Sequence, residues 1–226
     1  MTSVVIIGRN EGLSVDPMII SLPEDWKIYY VADRCTDNTL RLLSKYPNVF
    51  PIDTTNHNFE GRKTSTCRNL GLLSCPEEDD VLFLDGDRYI VSGNIEKAIN
   101  NFRSDILLFK LEEDCRGEEF ERRYKNADLI NGFYSCGVFF KREAINKVIE
   151  SPYNFGELFP EFLQDVWGIE DTSLGDLCSY LGLNAELCND VKLSGKFERS
   201  TFGSIKDVAR RLHYRDKFLK DVKFMS

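Results

Sequence analysis

Asp85-Gly86-Asp87 stands directly after the apolar run Val81-Leu82-Phe83-Leu84. Two carboxylates separated by one small residue can converge on a hard divalent cation, and glycine permits the tight turn between them. The competing reading is modest, because Asp-Gly is a common turn dipeptide in its own right. A second acidic pair, Glu170-Asp171, follows Trp167-Gly168 at the head of a helical pattern. Acids in a first helical turn are favoured by the macrodipole, so capping competes with any chemical role. Only two histidines occur: His213, within Arg211-Leu212-His213-Tyr214, and His57, in the polar stretch Thr54 to Asn58. His57 reads as loop, and His213 near a helix end would interact favourably with the dipole.

Groups of this kind need a rigid frame, and the first half of the chain supplies the pattern for one. Val4-Val5-Ile6-Ile7, Lys27 to Val31, Asn48 to Ile52 and Val81 to Leu84 are short apolar runs, as expected for parallel strands buried on both faces. Helical signals alternate with them. Thr36-Asp37-Asn38-Thr39 offers N-cap chemistry before Leu40, Leu42 and Leu43, with Asp37 read as a cap. Arg62 to Leu73 forms another helix, closed by Ser74-Cys75-Pro76. Repeated β-α-β units imply a doubly wound α/β sheet with its ligand at the carboxyl ends of the strands. Further on, Gly93 to Phe102 reads as helix, Asp105 to Leu111 as strand, and Glu112 to Asn126 as a charged excursion. Phe133 to Phe140 reads as strand, Arg142 to Glu150 as helix, Ser151 to Val166 as an aromatic-rich loop, and Gly168 to Leu181 as helix. A basic amphipathic helix spans about Ser204 to Lys220.

With 226 residues, 42% of them hydrophobic, the chain suits one domain with a full core. No segment approaches the ~18 apolar residues of a membrane span. Met1 to Gly8 runs into an apolar strand without a basic flank or cleavage site, so a cytoplasmic protein is expected. Seven scattered cysteines without a CxxC pair favour free thiols over zinc or a disulfide framework. The net charge of -8 argues against a protein devoted to nucleic acid as a whole. Lys196 to Ser226, however, carries nine Lys/Arg against four Asp/Glu, a basic tail on an acidic body.

With Asp85-Gly86-Asp87 in this context, the chain resembles the GT-A glycosyltransferases, particularly the family-2 type, over nearly its whole length. Val4 to Glu11 looks like that family's first strand ending in Asn10-Glu11, and Val31-Ala32-Asp33-Arg34-Cys35-Thr36-Asp37-Asn38-Thr39 resembles its "VDDGSTDNT" segment. Ala32 replaces the first acid here. Gly61-Arg62-Lys63 with Cys67-Arg68-Asn69-Leu70-Gly71 resembles the "G…ARN-G" helix, Gly132 to Arg142 the glycine-containing acceptor-side segment, and Trp167-Gly168-Ile169-Glu170-Asp171 the "W-G-x-E-D" segment.

The resemblance implies a GT-A architecture over 1–195, with a nucleotide-sugar-binding half to about 110, an acceptor half over 111–195, and a basic helical segment over 196–226. It implies Mn2+ or Mg2+ as cofactor. Asp87 would ligate the metal directly, Asp85 would contact the metal or the ribose, and His213 would complete the metal sphere. Asn10, Glu11, Asp33, Arg62 and Arg68 would bind the donor, Asp33 by hydrogen-bonding the base, usually uracil. Which of Arg62, Lys63 and Arg68 reaches the donor stays open. Gly137 and Trp167 would lie on the acceptor side, where glycine allows close approach of backbone to sugar or simply marks a strand bend. Asp171 would be the general base of an inverting transfer from a UDP-sugar, with Glu170 orienting donor or acceptor; retaining GT-A enzymes carry similar segments, so retention stays open as the alternative.

The expected acceptor is a glycan or small molecule, approached past Tyr153, Phe155, Phe159, Phe162 and Trp167. A modified nucleic acid is the alternative, held by Lys206, Arg210, Arg211, Arg215, Lys217, Lys220 and Lys223. A nucleotidyltransferase would want a glycine-rich phosphate loop after the first strand, and Gly8-Arg9-Asn10-Glu11-Gly12 is too sparse for one. A non-catalytic nucleotide-sugar binding module would have no need to keep Asp85, Asp87, Glu170 and Asp171 together.

Overall fold

The computed structural model describes residues 1–57, 63–111, 136–152, 156–159 and 169–194. These carry eight strands: β1 (Thr2–Gly8), β2 (Lys27–Ala32), β3 (Val49–Asp53), β4 (Asp80–Asp85), β5 (Tyr89–Ser92), β6 (Ile106–Leu111), β7 (Val138–Phe140) and β8 (Ala185–Ser194). Six helices accompany them: α1 (Val15–Ile20), α2 (Thr39–Leu43), α3 (Thr64–Ser74), α4 (Ile95–Asn101), α5 (Arg142–Ile149) and α6 (Ile169–Tyr180). All strands join one sheet in the order β3-β2-β1-β4-β7-β6-β8-β5.

The half made of β3, β2, β1 and β4 is parallel, as the apolar runs predict. β7 then runs antiparallel to both β4 and β6, and β5 antiparallel to β8, so the whole sheet is mixed. Alternate residues divide the core between the two faces, because successive side chains of a strand point opposite ways. Val4, Ile6, Ile28, Tyr30, Leu82 and Leu84 pack under α1, α2 and α4. Val81, Phe83, Ile106, Leu108, Val138 and Phe140 pack under α5 and α6, with Leu72 of α3. A Cβ on Gly71 would collide with Val5, so glycine is what lets α3 lie close on β1.

Within the described residues the expected elements stand with small shifts at their ends, and α1, β5 and β8 were not anticipated. α1 is only six residues long and contains Pro17, which hides its period. β5 and β8 mix polar and apolar residues, as suits the margin of a sheet. One expectation needs correction: β3 is not buried on both faces. It is an edge strand, Phe50 is 44% exposed, and Pro51, which cannot donate to a ladder, is at home there. The charged excursion at 112–126, most of the aromatic-rich loop and the basic segment 196–226 lie outside the described residues. No helix among the described residues is long and apolar enough to cross a membrane. Cys35, Cys67, Cys75, Cys136, Cys178 and Cys188 are free thiols.

Candidate active site

Strand register decides which residues meet. Gly8 of β1 is opposite Ala32 of β2, and Ile7 is opposite Asp85 of β4, so three parallel strands end at one level. Their following loops therefore share one end of the sheet: Asn10-Glu11 after β1, Asp33-Arg34 after β2, and Gly86-Asp87 after β4. Backbone bonds fasten the three together, from Asp33 N–H to the Gly8 carbonyl at 2.8 Å and from Gly86 N–H to the Ile7 carbonyl at 2.7 Å.

The Asp85-Gly86-Asp87 turn is closed by Arg88 N–H donating to the Asp85 carbonyl at 3.0 Å. Arg68 of α3, 4% exposed, donates to Asp85 Oδ1 at 2.9 Å, and its guanidinium lies 5.5 Å from the centre of the Phe159 ring. Arg88, also buried, sits 3.4 Å from Asp87 Oδ1. Each carboxylate of the pair is thus flanked by its own buried arginine, which fixes direction as well as charge. Neither Arg88 nor the Arg68–Asp85 link was anticipated. The sequence signal for Arg88 was its place directly after the acidic turn.

The reason for glycine at 86 is corrected by the structure. Gly86 is not among the glycines with positive φ, so the turn itself does not demand it. A Cβ there would lie 2.5 Å from the Tyr30 hydroxyl oxygen and 3.1 Å from Glu11 Cγ and from the Gly8 Cα. A Cβ on Gly8 would collide with the same hydroxyl. Tyr30, fully buried in β2, reaches across β1 and ends beneath the acidic turn.

Electrostatically the pocket is unbalanced. Burial pushes the Glu11 carboxyl up, and Asp87, Asp85 and Asp37 push it further. Burial likewise raises the Asp87 carboxyl, against the pull of Arg88, and Asp85 adds to the rise. A divalent cation fits this donor set, since it would relieve the repulsion that Glu11 and Asp87 experience. Among the described residues, no three His, Cys, Asp or Glu side chains gather into a preformed metal cage. Asp85 and Asp87 would therefore hold such an ion together with ligands from elsewhere.

The remaining expected site residues divide. The Asn10 side-chain oxygen accepts from Thr36 N–H at 2.8 Å, a contact that ties the loop after β1 to the loop after β2. Both Asp33 oxygens accept from Arg34, Oδ1 from Nε at 2.6 Å and Oδ2 from the guanidinium at 3.0 Å. Arg34 stands where the "VDDGSTDNT" pattern has glycine, and it adopts φ +50. Asp37 does what a cap does: Oδ1 accepts from Thr39 N–H and hydroxyl at 3.0 and 2.6 Å, and Oδ2 from Gly12 N–H at 3.0 Å. Burial alone would raise the Asp37 carboxyl, but those bonds from Thr39 and Gly12 hold it below its usual value.

On the other side of β4, Gly137 N–H donates to the Phe83 carbonyl at 2.8 Å, so the glycine expected on the acceptor side lies beside the strand that carries the acids. Its φ of +98 accounts for glycine there, the strand-bend reading. Asn69 of α3 makes a reciprocal pair with the Phe159 backbone, donating to its carbonyl at 2.8 Å and accepting from its N–H at 3.0 Å. Glu170 and Asp171 fall in the first turn of α6. Arg62, Trp167 and His213 lie outside the described residues.

No family model and no curated protein sequence matches the chain. Solved structures do. Residues 1–349 of S. aureus TarS superpose with a TM-score of 0.69 at 20% identity, covering 96% of this chain and 65% of that one. The mannosyltransferase PcManGT from Pyrobaculum calidifontis, in complex with GDP-Man and Mn2+, gives 0.65 at 17% identity, covering 98% and 64%. Glucosyl-3-phosphoglycerate synthase from Mycobacterium tuberculosis, with Mn2+, UDP-glucose and phosphoglyceric acid, gives 0.61 at 14% identity, covering 95% and 79%. The chain thus spans slightly less than two thirds of the length of the first two. Its sheet order, the common level of β1, β2 and β4, and these superpositions together establish that the chain has the GT-A fold.

Proposed function

We propose that this chain is a metal-dependent glycosyltransferase that moves a sugar from a nucleotide diphosphate donor to an acceptor hydroxyl. The observation that carries the reading is the Asp85-Gly86-Asp87 turn at the end of β4, facing Glu11 across the ends of the parallel strands. Two similar structures hold sugar nucleotides and Mn2+, which supports the same ligand class here. When bound, Mn2+ or Mg2+ would stabilise the negative charge that the diphosphate develops as the sugar leaves.

Within this reading Asp87 is a direct metal ligand and Asp85, oriented by Arg68, contacts the metal or the ribose. His213 completes the metal sphere. Glu11 faces the donor, and Asn10 supports it by tying the loop after β1 in place. Asp33 meets the base by exchanging part of its Arg34 ion pair for the base edge, and the family resemblance favours a UDP-sugar. Arg62 or Lys63 is the cation assigned here to the diphosphate, since Arg68 is engaged with Asp85. Asp171 takes the proton of the acceptor hydroxyl as its oxygen attacks the anomeric carbon, with Glu170 orienting the reactants. In-line attack of this kind inverts that carbon. Gly137 and Trp167 belong to the acceptor side, and the acceptor is a small molecule or a glycan. The nucleic-acid alternative rests on the basic segment over 196–226, which lies outside the described residues.

The test is thermal unfolding with UDP, GDP and their sugar conjugates, with and without Mn2+. A ligand at a hundred times its Kd stabilises by ~2.7 kcal/mol, a rise of roughly 5–10 °C for a chain of this size. Donor hydrolysis should disappear in Asp87→Ala, and transfer in Asp171→Asn. Absence of stabilisation by every nucleotide diphosphate would overturn the reading.

A further inference from the structure

Tyr30 is fully buried, yet its hydroxyl has no hydrogen-bond partner among the described residues. A buried donor left this way is costly, and natural cores rarely retain one without a use. The surroundings show where the group is aimed. It occupies the room that a side chain on Gly8 or Gly86 would take, directly under the acidic turn. Glu11 Cγ is 3.1 Å from a Cβ built on either glycine, so the Glu11 arm lies over the same two residues as the phenol. Asp85 and Asp87 flank Gly86 on either side.

We propose that Tyr30 is a positioning residue of the donor site, whose hydroxyl donates to the Glu11 carboxylate once a divalent cation and a nucleotide diphosphate occupy the turn. This rests on the transferase reading above and deepens it. Asp85 and Asp87 each have an arginine beside them, whereas Glu11 is crowded by acids. With Glu11 Cγ and the phenol oxygen both against the same two glycines, rotation of the Glu11 side chain would bring its carboxylate to the phenol. A carboxylate has two oxygens, so one accepts from Tyr30 while the other stays free for a hydroxyl of the donor. Gly8 and Gly86 are the two residues that make this approach sterically feasible.

Tyr30→Phe removes the hydroxyl and keeps the ring. Without ligand, the variant should unfold at the same temperature as the wild type or higher, because an unpartnered hydroxyl has been deleted. Titrated with Mn2+–UDP and Mn2+–GDP, it should bind the nucleotide preferred by the wild type about tenfold to a hundredfold more weakly. Glu11→Gln should weaken binding as well, and the double variant should bind no worse than the weaker single one. Wild-type affinity in Tyr30→Phe, a clearly lower unfolding temperature without ligand, or additive losses in the double variant would each overturn the role of Tyr30. A wild-type protein that binds neither Mn2+–nucleotide would overturn the transferase reading and this role together, while the unliganded unfolding temperatures would still report whether the hydroxyl is unpartnered.

Discussion

Gly86→Ala tests the steric reasoning beneath the acidic turn. The new methyl would lie 2.5 Å from the Tyr30 hydroxyl oxygen, a separation that real Cβ atoms do not tolerate. Tyr30 is fully buried in the core under α1, so its ring has no free direction of retreat. Overpacking of this kind costs about 1–3 kcal/mol, which lowers the unfolding temperature by roughly 3–10 °C in a chain of this length. In a Tyr30→Phe background the closest contacts become those to Glu11 Cγ and the Gly8 Cα, both 3.1 Å, which a slight shift relieves. The double variant should therefore recover most of the loss. Gly8→Ala behaves differently, because the ring carbon bearing the hydroxyl would lie 2.9 Å from its methyl even after the oxygen is gone. Calorimetric unfolding of Gly86→Ala, Gly8→Ala and Tyr30→Phe, of each glycine variant combined with Tyr30→Phe, and of the wild type gives the comparison. Equal destabilisation by Gly86→Ala in both backgrounds, or full rescue of Gly8→Ala, would refute the proposed packing.

Two further outcomes follow from the same geometry. Glu11→Gln should raise the unfolding temperature of the metal-free protein at pH 7–8 by about 1–5 °C while weakening donor binding. The Glu11 carboxyl is raised in the folded state, so stability is lost as pH rises from its ordinary value through the raised one; the advantage of Gln should shrink towards pH 4.5, and a gain independent of pH would contradict the repulsion. Asn69→Ala leaves the Phe159 N–H and carbonyl without their reciprocal partners and should cost about 1–3 kcal/mol. Because Phe159 also supports Arg68, hydrogen exchange at 156–159 should quicken together with a loss of donor affinity, and unchanged exchange there would deny the link.

Much of this protein was legible from order along the chain. The apolar runs at Val4, Lys27 and Val81 and the acids after them are local features, and parallel pairing with short connections leaves few ways to arrange them. Asp85 and Asp87 could be singled out because a buried strand must deliver its next residues to the sheet's end. Asp37 was legible as a cap because capping acts within a few residues.

What escaped the sequence depends on contacts between distant segments. Arg68 also meets Asp85 and Asn10 also holds Thr36, contacts that the sequence did not show because only the fold brings those partners within reach. The glycine of the acidic turn was explained by its own backbone, whereas it is a hydroxyl 56 positions earlier that requires it. Sequence alone determined the parallel strands, the alternation of strand and helix, and the place of Asp85 and Asp87 directly after a buried strand, since these follow from local pattern. Tertiary structure alone decided which cation faces which carboxylate, and that a buried tyrosine ends beneath them, because side-chain partnership is set by register and packing rather than by neighbourhood in the chain.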